Sequence, residues 1–419
     1  MKHRIKKALN QLRTTRILSN FFNLSGIQFS NILLAVLIIP IVTRAIGIDG
    51  FGIMMYASRF SWFVVAIVNY GTGQSAVRDV AFHIHDKQNL ARVFYETLFL
   101  RTIMFALFLA LMFALQWFNI LYYTYLLLAI PIVLAEVFNP LCFFIGAERL
   151  KLFNLYNLLS NVVAIIAIIL CIKSNKDTGL VNFILGMANT LTYLGLLIYF
   201  GRLFKLPFYV PTKAELVTTG KHNFSLTVNN LSVNLQQSII IFALPRWGYT
   251  ALLGPYTLAD RIIGQCRNLL ITISNAIYPN AAHIYKSSTE IWDSYRRKNK
   301  FLLAALFLAG AILLFIIADP VVYLLSKKHN DTAVMVLRIM AAVPVLSALN
   351  VLNVMDQLLK NNTAYIFRIA VILFIVAIAI CAGLLASGNT LLIASFTLLV
   401  ETAAWLMYEF VVNKKLMQK

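Results

Sequence analysis

PIVTRAIGIDGFGIMMYASR, residues 40–59, is the stretch that organises the rest of the chain. Apolar sequence from Leu24 leads into it and reads as a membrane helix ending near Ala45. Apolar sequence after it, to about Tyr70, reads as a second. Gly47, Asp49, Gly50 and Gly52 mark a turn between them. Arg59 then falls partway along the second helix, where a charge costs about 2.5–3.5 kcal/mol on insertion scales. A residue held there at that cost faces a water-filled cavity or a partner, which makes it a functional candidate.

The same arrangement returns further along. Arg246, Gly254, Ala259 and Arg261 repeat Arg44, Gly52, Ala57 and Arg59, and 246 − 44, 254 − 52, 259 − 57 and 261 − 59 all give 202. Ile241 repeats Ile39, Phe301 and Leu302 repeat Phe99 and Leu100, and Phe307 repeats Phe105 at the same spacing. Arginine is scarce in membrane helices, so paired arginines at one spacing point to two copies of one half-protein.

Composition sets the class. Of 419 residues 60% are hydrophobic and 12% charged, which fits a multispanning membrane protein and leaves no polar segment long enough for a soluble domain. The apolar runs are continuous rather than alternating, which excludes a sheet barrel. Net charge is +20. In a soluble protein that would suggest nucleic acid; here it reads as cytoplasmic loops facing anionic lipid, with no nucleic-acid partner. Cys142, Cys171, Cys266 and Cys381 lie in apolar runs without metal-ligand or disulfide spacing.

The expected fold class is an all-α membrane protein with about twelve transmembrane helices, in two pseudo-symmetric six-helix bundles around a central cavity. Residues 1–21 read as a basic interfacial helix, with a retained first span after it rather than a signal peptide. Residues 22–201 read as an N-lobe, 202–220 as a cytoplasmic linker, 221–413 as a C-lobe and 414–419 as a basic tail. Expected spans cover about 22–45, 51–71, 96–117, 119–145, 153–173, 179–200, 222–244, 250–280, 299–318, 331–355, 362–386 and 388–412. Lysine and arginine concentrate in alternate connections, which places both termini in the cytoplasm. Six spans per copy gives both halves one orientation.

Polar residues follow helical faces. Asn223, Thr227, Asn230, Asn234 and Gln237 form one stripe; Arg261, Gln265, Asn268, Thr272 and Asn275 form another. The first span adds Asn20, Gln28 and Asn31, the tenth Asn350, Asn353 and Gln357. Such stripes line a wet cavity or hydrogen-bond between helices, the latter stabilising by about 0.6 kcal/mol on average. The intramembrane arginines are Arg59, Arg261, Arg267, Arg338 and Arg368, with Arg101 nearer an end. A guanidinium stays charged and its fork fits phosphate oxygens, so a cluster would bind phosphate or pyrophosphate. The alternative is internal pairing with Asp260, Glu136, Asp356 and Glu401. His83 and His85 lack companions for a metal site, and no Walker loop is present, so neither metal, cofactor nor nucleotide hydrolysis is expected.

Several motifs resemble one family. IPIVTRAIGIDGFG from Ile39, NYGTGQSAVRDVA at 69–81, FFIGAERLKLFNLYNLLS at 143–160, ADRI at 259–262 and NAIYPNAAHIYK at 275–286 are similar to stretches of Wzx-type O-antigen and polysaccharide flippases. These belong to the polysaccharide transporter family of the multidrug/oligosaccharidyl-lipid/polysaccharide exporter superfamily. Arg149 and Leu150 stand where the family usually has Lys-Met. The resemblance implies no enzyme, but movement of undecaprenyl-pyrophosphate-linked oligosaccharide from the cytoplasmic to the periplasmic leaflet of the bacterial inner membrane. It implies cavity arginines on the second and eighth helices, for which Arg59 and Arg261 are the matching positions, and polysaccharide polymerases as partners. The expected substrate site is Arg59, Arg261, Arg267, Arg338 and Arg368 for the pyrophosphate, with Asn230, Asn234, Gln237, Gln265 and Asn268 for sugar hydroxyls. Asp260 or Glu401 is the expected carrier of a coupling proton. The competing expectation is a multidrug or organic-ion antiporter of the same fold, which needs a cavity dominated by acids.

Overall fold

The computed structural model describes residues 37–360 and 362–417. The expected interfacial helix, most of the first span with Asn20, Gln28 and Asn31, and the Asn275 side chain lie outside the described set. All regular structure among the described residues is helical.

The chain runs as α1 (Leu37–Asn69), α2 (Thr72–His83), α3 (Lys87–Leu115), α4 (Tyr123–Leu128), α5 (Ile130–Phe138), α6 (Leu141–Gly146), α7 (Leu150–Cys171) and α8 (Thr178–Leu203). It continues as α9 (Lys213–Arg246), α10 (Thr250–Ser287), α11 (Thr289–Ile316), α12 (Ala318–Ser326), α13 (Asp331–Met340), α14 (Val343–Leu359), α15 (Thr363–Ala386), α16 (Thr390–Ala394) and α17 (Phe396–Met417). Eight helical runs among the described residues are long and apolar enough to cross a membrane. The first, Leu37–Asn69, joins the end of the expected first span to the second. The stripe-bearing α9 and α10, together with α17, add the polar-rich remainder, and the tally is about twelve spans.

The expected turn is reduced to one residue, with Asp49, Gly50 and Gly52 lying in helix. Gly47 has φ 75, far from the value near −60 that an α-helix requires, so the chain changes direction there although helix continues on both sides. Its counterpart is Gly248, φ 88, between α9 and α10 and one residue short of the 202 spacing. The repeat reappears in the helix caps. Asp86 accepts from the backbone of Gln88 and Asn89 to start α3, and Ser288, 202 residues on, accepts from Ile291 to start α11.

Two compact units divide the contacts. The first comprises Phe60–Ile172 and Gly179–Asn230; the second comprises Ile39–Arg59, Lys173–Thr178 and the chain from Leu231 onward. Phe94, Phe143, Phe144 and Phe200 form an aromatic core in the first, with the Phe94 and Phe143 ring centroids 5.0 Å apart. Arg101 is buried beside it. Its Nε donates to Thr72 Oγ1 at 2.8 Å and its Nη1 to the carbonyls of Glu136 and Asn139 at 3.1 and 2.7 Å. The Glu136 carboxylate accepts from Asn69 and Asn139. Every polar atom thus trades water for a protein partner, which is how a charge survives burial.

In the second unit Trp292 is fully buried and its Nε1 donates to Asp356 at 2.9 Å. Lys360 Nζ reaches the same carboxylate at 2.7 Å, and Lys300 pairs with Glu409. Asp356, Asn353 and Gln357 are thereby committed to the packing of α11, α14 and α17. The helix expected from about 222 begins at Lys213. Thr212 and Glu215 form a reciprocal cap: Thr212 N donates to the carboxylate at 2.7 Å and Glu215 N to the Thr212 hydroxyl at 3.4 Å.

Candidate functional site

The candidate site is built where α1 crosses α10. Gly52 and Gly254, the repeat-related glycines, meet there backbone to backbone. A Cβ on Gly52 would lie 2.6 Å from the Gly254 nitrogen, and one on Gly254 would lie 2.8 Å from the carbonyl carbon of Ile48. Only residues without a side chain allow that approach. Ala57 and Ala259, the next repeat pair, are both buried.

Two turns beyond the glycines on each helix come Arg59 and Arg261. The Arg59 guanidinium is ion-paired with Asp260 on α10, while its Nε has no hydrogen-bond partner. Arg261 adjoins Asp260 in sequence and lies within electrostatic reach of both Arg59 and Asp260. No carboxylate forms an ion pair with Arg261 among the described residues. Two guanidinium groups and one carboxylate therefore share this crossing, and the local charge is positive.

A second pair lies further along α10. Arg267 Nη2 donates to Glu401 Oε1 at 2.5 Å, and Ser347 Oγ donates to the other carboxylate oxygen at 3.2 Å. Here too the arginine Nε is buried without a partner. Arg267, Glu401, Ser347, Gln237 and Asn350 line a cavity of about 300 Å³ within the second unit. Gln265 and Asn268 are half-buried on the same helix. Gln265 Nε2 donates to the Arg261 carbonyl at 3.5 Å, and the Asn268 carbonyl accepts from Thr272 at 2.9 Å. Asn230 and Asn234 are half-buried on α9, and the boundary between the units falls between Asn230 and Leu231.

The structure joins Arg59, Asp260, Arg261, Arg267 and Glu401 along α10, but not Arg338 or Arg368. Arg338 is exposed, donates to the Phe315 carbonyl at 3.3 Å and lies over that ring, 5.4 Å from its centroid. Arg368 is exposed over Tyr365 at 6.0 Å. Arg44 donates to the Leu324 carbonyl at 2.5 Å, which ties α1 to the end of α12. The sequence supplied the arginines and named Asp260 and Glu401 among possible internal partners, but not which arginine each would meet, since the facing helix of each pair cannot be read from one helix alone.

Similarity to known proteins agrees with this architecture. The family model described as polysaccharide biosynthesis protein matches residues 17–285. An Escherichia coli (strain K12) protein named "Putative O-antigen transporter" is 22% identical over 354 residues, covering 82% of this chain and 83% of that one. Among solved structures, an inward-facing multidrug resistance MATE family transporter of the MOP superfamily superimposes with TM-score 0.71 at 14% identity, over 91% of this chain and 95% of its own. The lipid II flippase MurJ in an inward closed conformation gives 0.68 at 14% identity, over 96% and 87%. A MOP superfamily transporter from Pyrococcus furiosus, noted for reversed polarity of its binding pocket, gives 0.64 at 12% identity, over 95% of each chain. At these identities the structures establish the fold, while the sequence match establishes the kinship. The chain belongs to the polysaccharide biosynthesis protein family, as a Wzx-type member built on the MOP transporter fold.

Proposed function

We propose that this protein is a flippase, not an enzyme, that carries undecaprenyl-pyrophosphate-linked oligosaccharide from the cytoplasmic to the periplasmic leaflet by alternating access. The observation that carries the reading is the Arg59–Asp260–Arg261 group at the repeat crossing. A lipid-linked glycan has a polar head that cannot cross hydrocarbon unaided and a diphosphate that needs fixed positive charge. Arg59 and Arg261 provide that charge, and Arg267 provides a further guanidinium on the same helix.

Asp260 and Glu401 stand in for the diphosphate in this account. Each occupies an arginine in the ligand-free protein, and each arginine keeps one unmet Nε donor. A phosphate oxygen competes for the same fork with more charge and more acceptor sites. A displaced carboxylate becomes a better proton acceptor once its cation is gone, which would link proton movement to substrate binding. Outward movement of an anion is also driven by an inside-negative potential, about 2.3 kcal/mol per charge per 100 mV. Half-buried Asn230, Asn234, Gln265 and Asn268, with Gln237, are the proposed contacts to sugar hydroxyls. Arg338 and Arg368 are outlying positive charges that would act on the head group only at the ends of its path.

A multidrug or organic-ion antiporter is the second reading, favoured by the MATE neighbours. It requires acids free to meet a cation. Asp260 and Glu401 are both held by arginines and Arg261 remains in excess, so the anion reading is the better supported. In this reading both termini lie in the cytoplasm of a bacterial cell, the protein is multi-pass in the inner membrane, and polysaccharide polymerases act on what it delivers. The test is translocation of lipid-linked oligosaccharide in proteoliposomes by Arg59→Ala, Arg59→Lys and the native protein. Loss in both variants, deeper in the alanine, is expected; transport of organic cations unaffected by Arg59→Ala, with no glycolipid transport, would establish the second reading instead.

A further inference from the structure

The NYGTGQSAVRDVA stretch plays no part in the arginine site, yet the structure gives it a defined shape. α1 stops at Asn69, Tyr70 and Gly71 take positive φ values of 45 and 71, and α2 starts in a new direction. Asn69 caps that start, its Oδ1 accepting from Gly73 N at 3.1 Å. A Cβ on Gly71 would lie 2.9 Å from the Asn223 carbonyl and 2.9 Å from Leu226 Cβ, so glycine allows α9 to pass close over the bend. The repeat-related stretch of the second half has no such bend: α10 continues unbroken to Ser287. In the first half the bend and the start of α9 enclose a pocket.

That pocket, of about 390 Å³, is walled by Gln74, Ser75 and Arg78 of α2 and by Thr219, His222 and Asn223 of α9. Arg78 is neutralised by Asp79 at 2.9 Å. The wall is thus rich in amides and hydroxyls and carries almost no net charge. Asn223 is 1% exposed and its Nδ2 has no hydrogen-bond partner, an unmet donor in the pocket wall. The opposite flank of the same helix is different. A groove of about 410 Å³ is lined by Ile103, Met104, Val217 and Phe224, with Lys213 and Lys221 among its walls.

We infer that the start of α9 is a docking site for the lipid-linked glycan before it reaches the arginines, the sugars entering the Gln74–His222–Asn223 pocket and the lysine-lined groove taking the anionic lipid. This rests on the glycolipid reading above and adds to it a site in the other compact unit. An uncharged wall of amides and hydroxyls suits a polyhydroxylated sugar better than a phosphate, which would select cations. An apolar groove bearing two cations suits a hydrocarbon chain that ends in phosphate. One helix thus separates two surfaces that match the two chemically different parts of one amphiphile. A soluble sugar would have no use for the groove, and a simple anionic lipid none for the pocket.

The experiment uses the full chain in nanodiscs and two probes. One is the oligosaccharide released by mild acid from the host's lipid-linked repeat unit; the other is undecaprenyl pyrophosphate. Gln74→Leu and His222→Ala change exposed side chains, so both variants should keep the native melting temperature. They are expected to weaken oligosaccharide binding about tenfold, read by saturation-transfer NMR, and to leave undecaprenyl pyrophosphate binding intact. Lys213→Ala with Lys221→Ala should do the reverse. Oligosaccharide binding that is absent, or unchanged in the pocket variants, overturns the inference, as does a nucleotide sugar displacing the oligosaccharide from the pocket. Arg59→Ala separates the two proposals: if it abolishes translocation while the pocket variants change no binding, the docking site fails and the flippase reading stands. If Arg59→Ala and the native protein translocate equally, the arginine reading fails whatever the pocket binds.

Discussion

Arg59 and Asp260 illustrate how a charge is kept inside a membrane protein and why it is useful there. Pairing offsets the desolvation of both groups, and in the proposed mechanism the substrate's phosphate takes the place of the carboxylate. Asp260→Asn removes the internal competitor. It should tighten undecaprenyl pyrophosphate binding about tenfold in a nanodisc titration while slowing turnover, because tighter ground-state binding opposes release. Arg101 makes the opposite case. Its guanidinium is held by the Thr72 hydroxyl, by the Glu136 and Asn139 carbonyls and, at 3.8 Å, by the Glu136 carboxylate. Arg101→Leu leaves Glu136 buried and unpaired, at a cost of about 3–5 kcal/mol. Arg101→Leu combined with Glu136→Leu should regain most of that in a thermal melt; a double variant as unstable as the single would show that the ion pair is not what the site is built around. Gly52→Ala is a third case. Its new methyl would meet the Gly254 backbone, so a loss of about 1–3 kcal/mol is expected by the same measurement.

At the scale of elements, the helices carry the repeat more clearly than their sequences do. Few side chains match at the 202 spacing, but the caps Asp86 and Ser288 and the touching Gly52 and Gly254 all keep it. The Arg44–Arg246 and Arg59–Arg261 spacings were enough to read that architecture, because arginine and glycine are each restricted by strong local physics. The start of α9 was also legible in principle: Thr212 and Glu215 have capping-box spacing ahead of the run, though the polar residues that follow them read as linker. What could not be read was pairing across helices, such as Arg267 with Glu401, and the bend at Gly71, whose need arises only from the approach of Asn223. The Glu215 cap also carries a pH signature. Hydrogen bonds from the Thr212 backbone, Tyr209 and the Thr212 hydroxyl lower its pKa to about 2, from an ordinary 4.5. Its folded pKa is depressed, so its contribution is complete above about pH 4.5 and fades as pH falls toward 2. Amide exchange at residues 213–216, corrected for intrinsic rates, should accelerate across that window in the native protein. In Glu215→Gln it should be faster at neutral pH and lose most of that dependence.

At the scale of the whole molecule, a duplicated helical scaffold of the polysaccharide biosynthesis protein family carries a cluster of two arginines and one aspartate where α1 crosses α10. Topology has a direct check in Cys171, which is exposed at the end of α7 on the side expected to face the periplasm. A membrane-impermeant maleimide should label it in intact spheroplasts and label Cys171→Ser far less, since Cys142 and Cys381 are buried and Cys266 is half-buried within α10. Labelling only after the membrane is opened would reverse the orientation. The central claim concerns the two arginines at the glycine crossing. Charge-assisted hydrogen bonds contribute about 1.5–3 kcal/mol each, so losing the two groups proposed to grip the diphosphate should slow transport by about 100-fold or more. The decisive measurement is the rate at which lipid-linked oligosaccharide crosses proteoliposomes containing Arg59→Ala/Arg261→Ala, at matched protein density and melting temperature. A rate at least about 100-fold below the native protein is predicted; a rate equal to it would contradict the account.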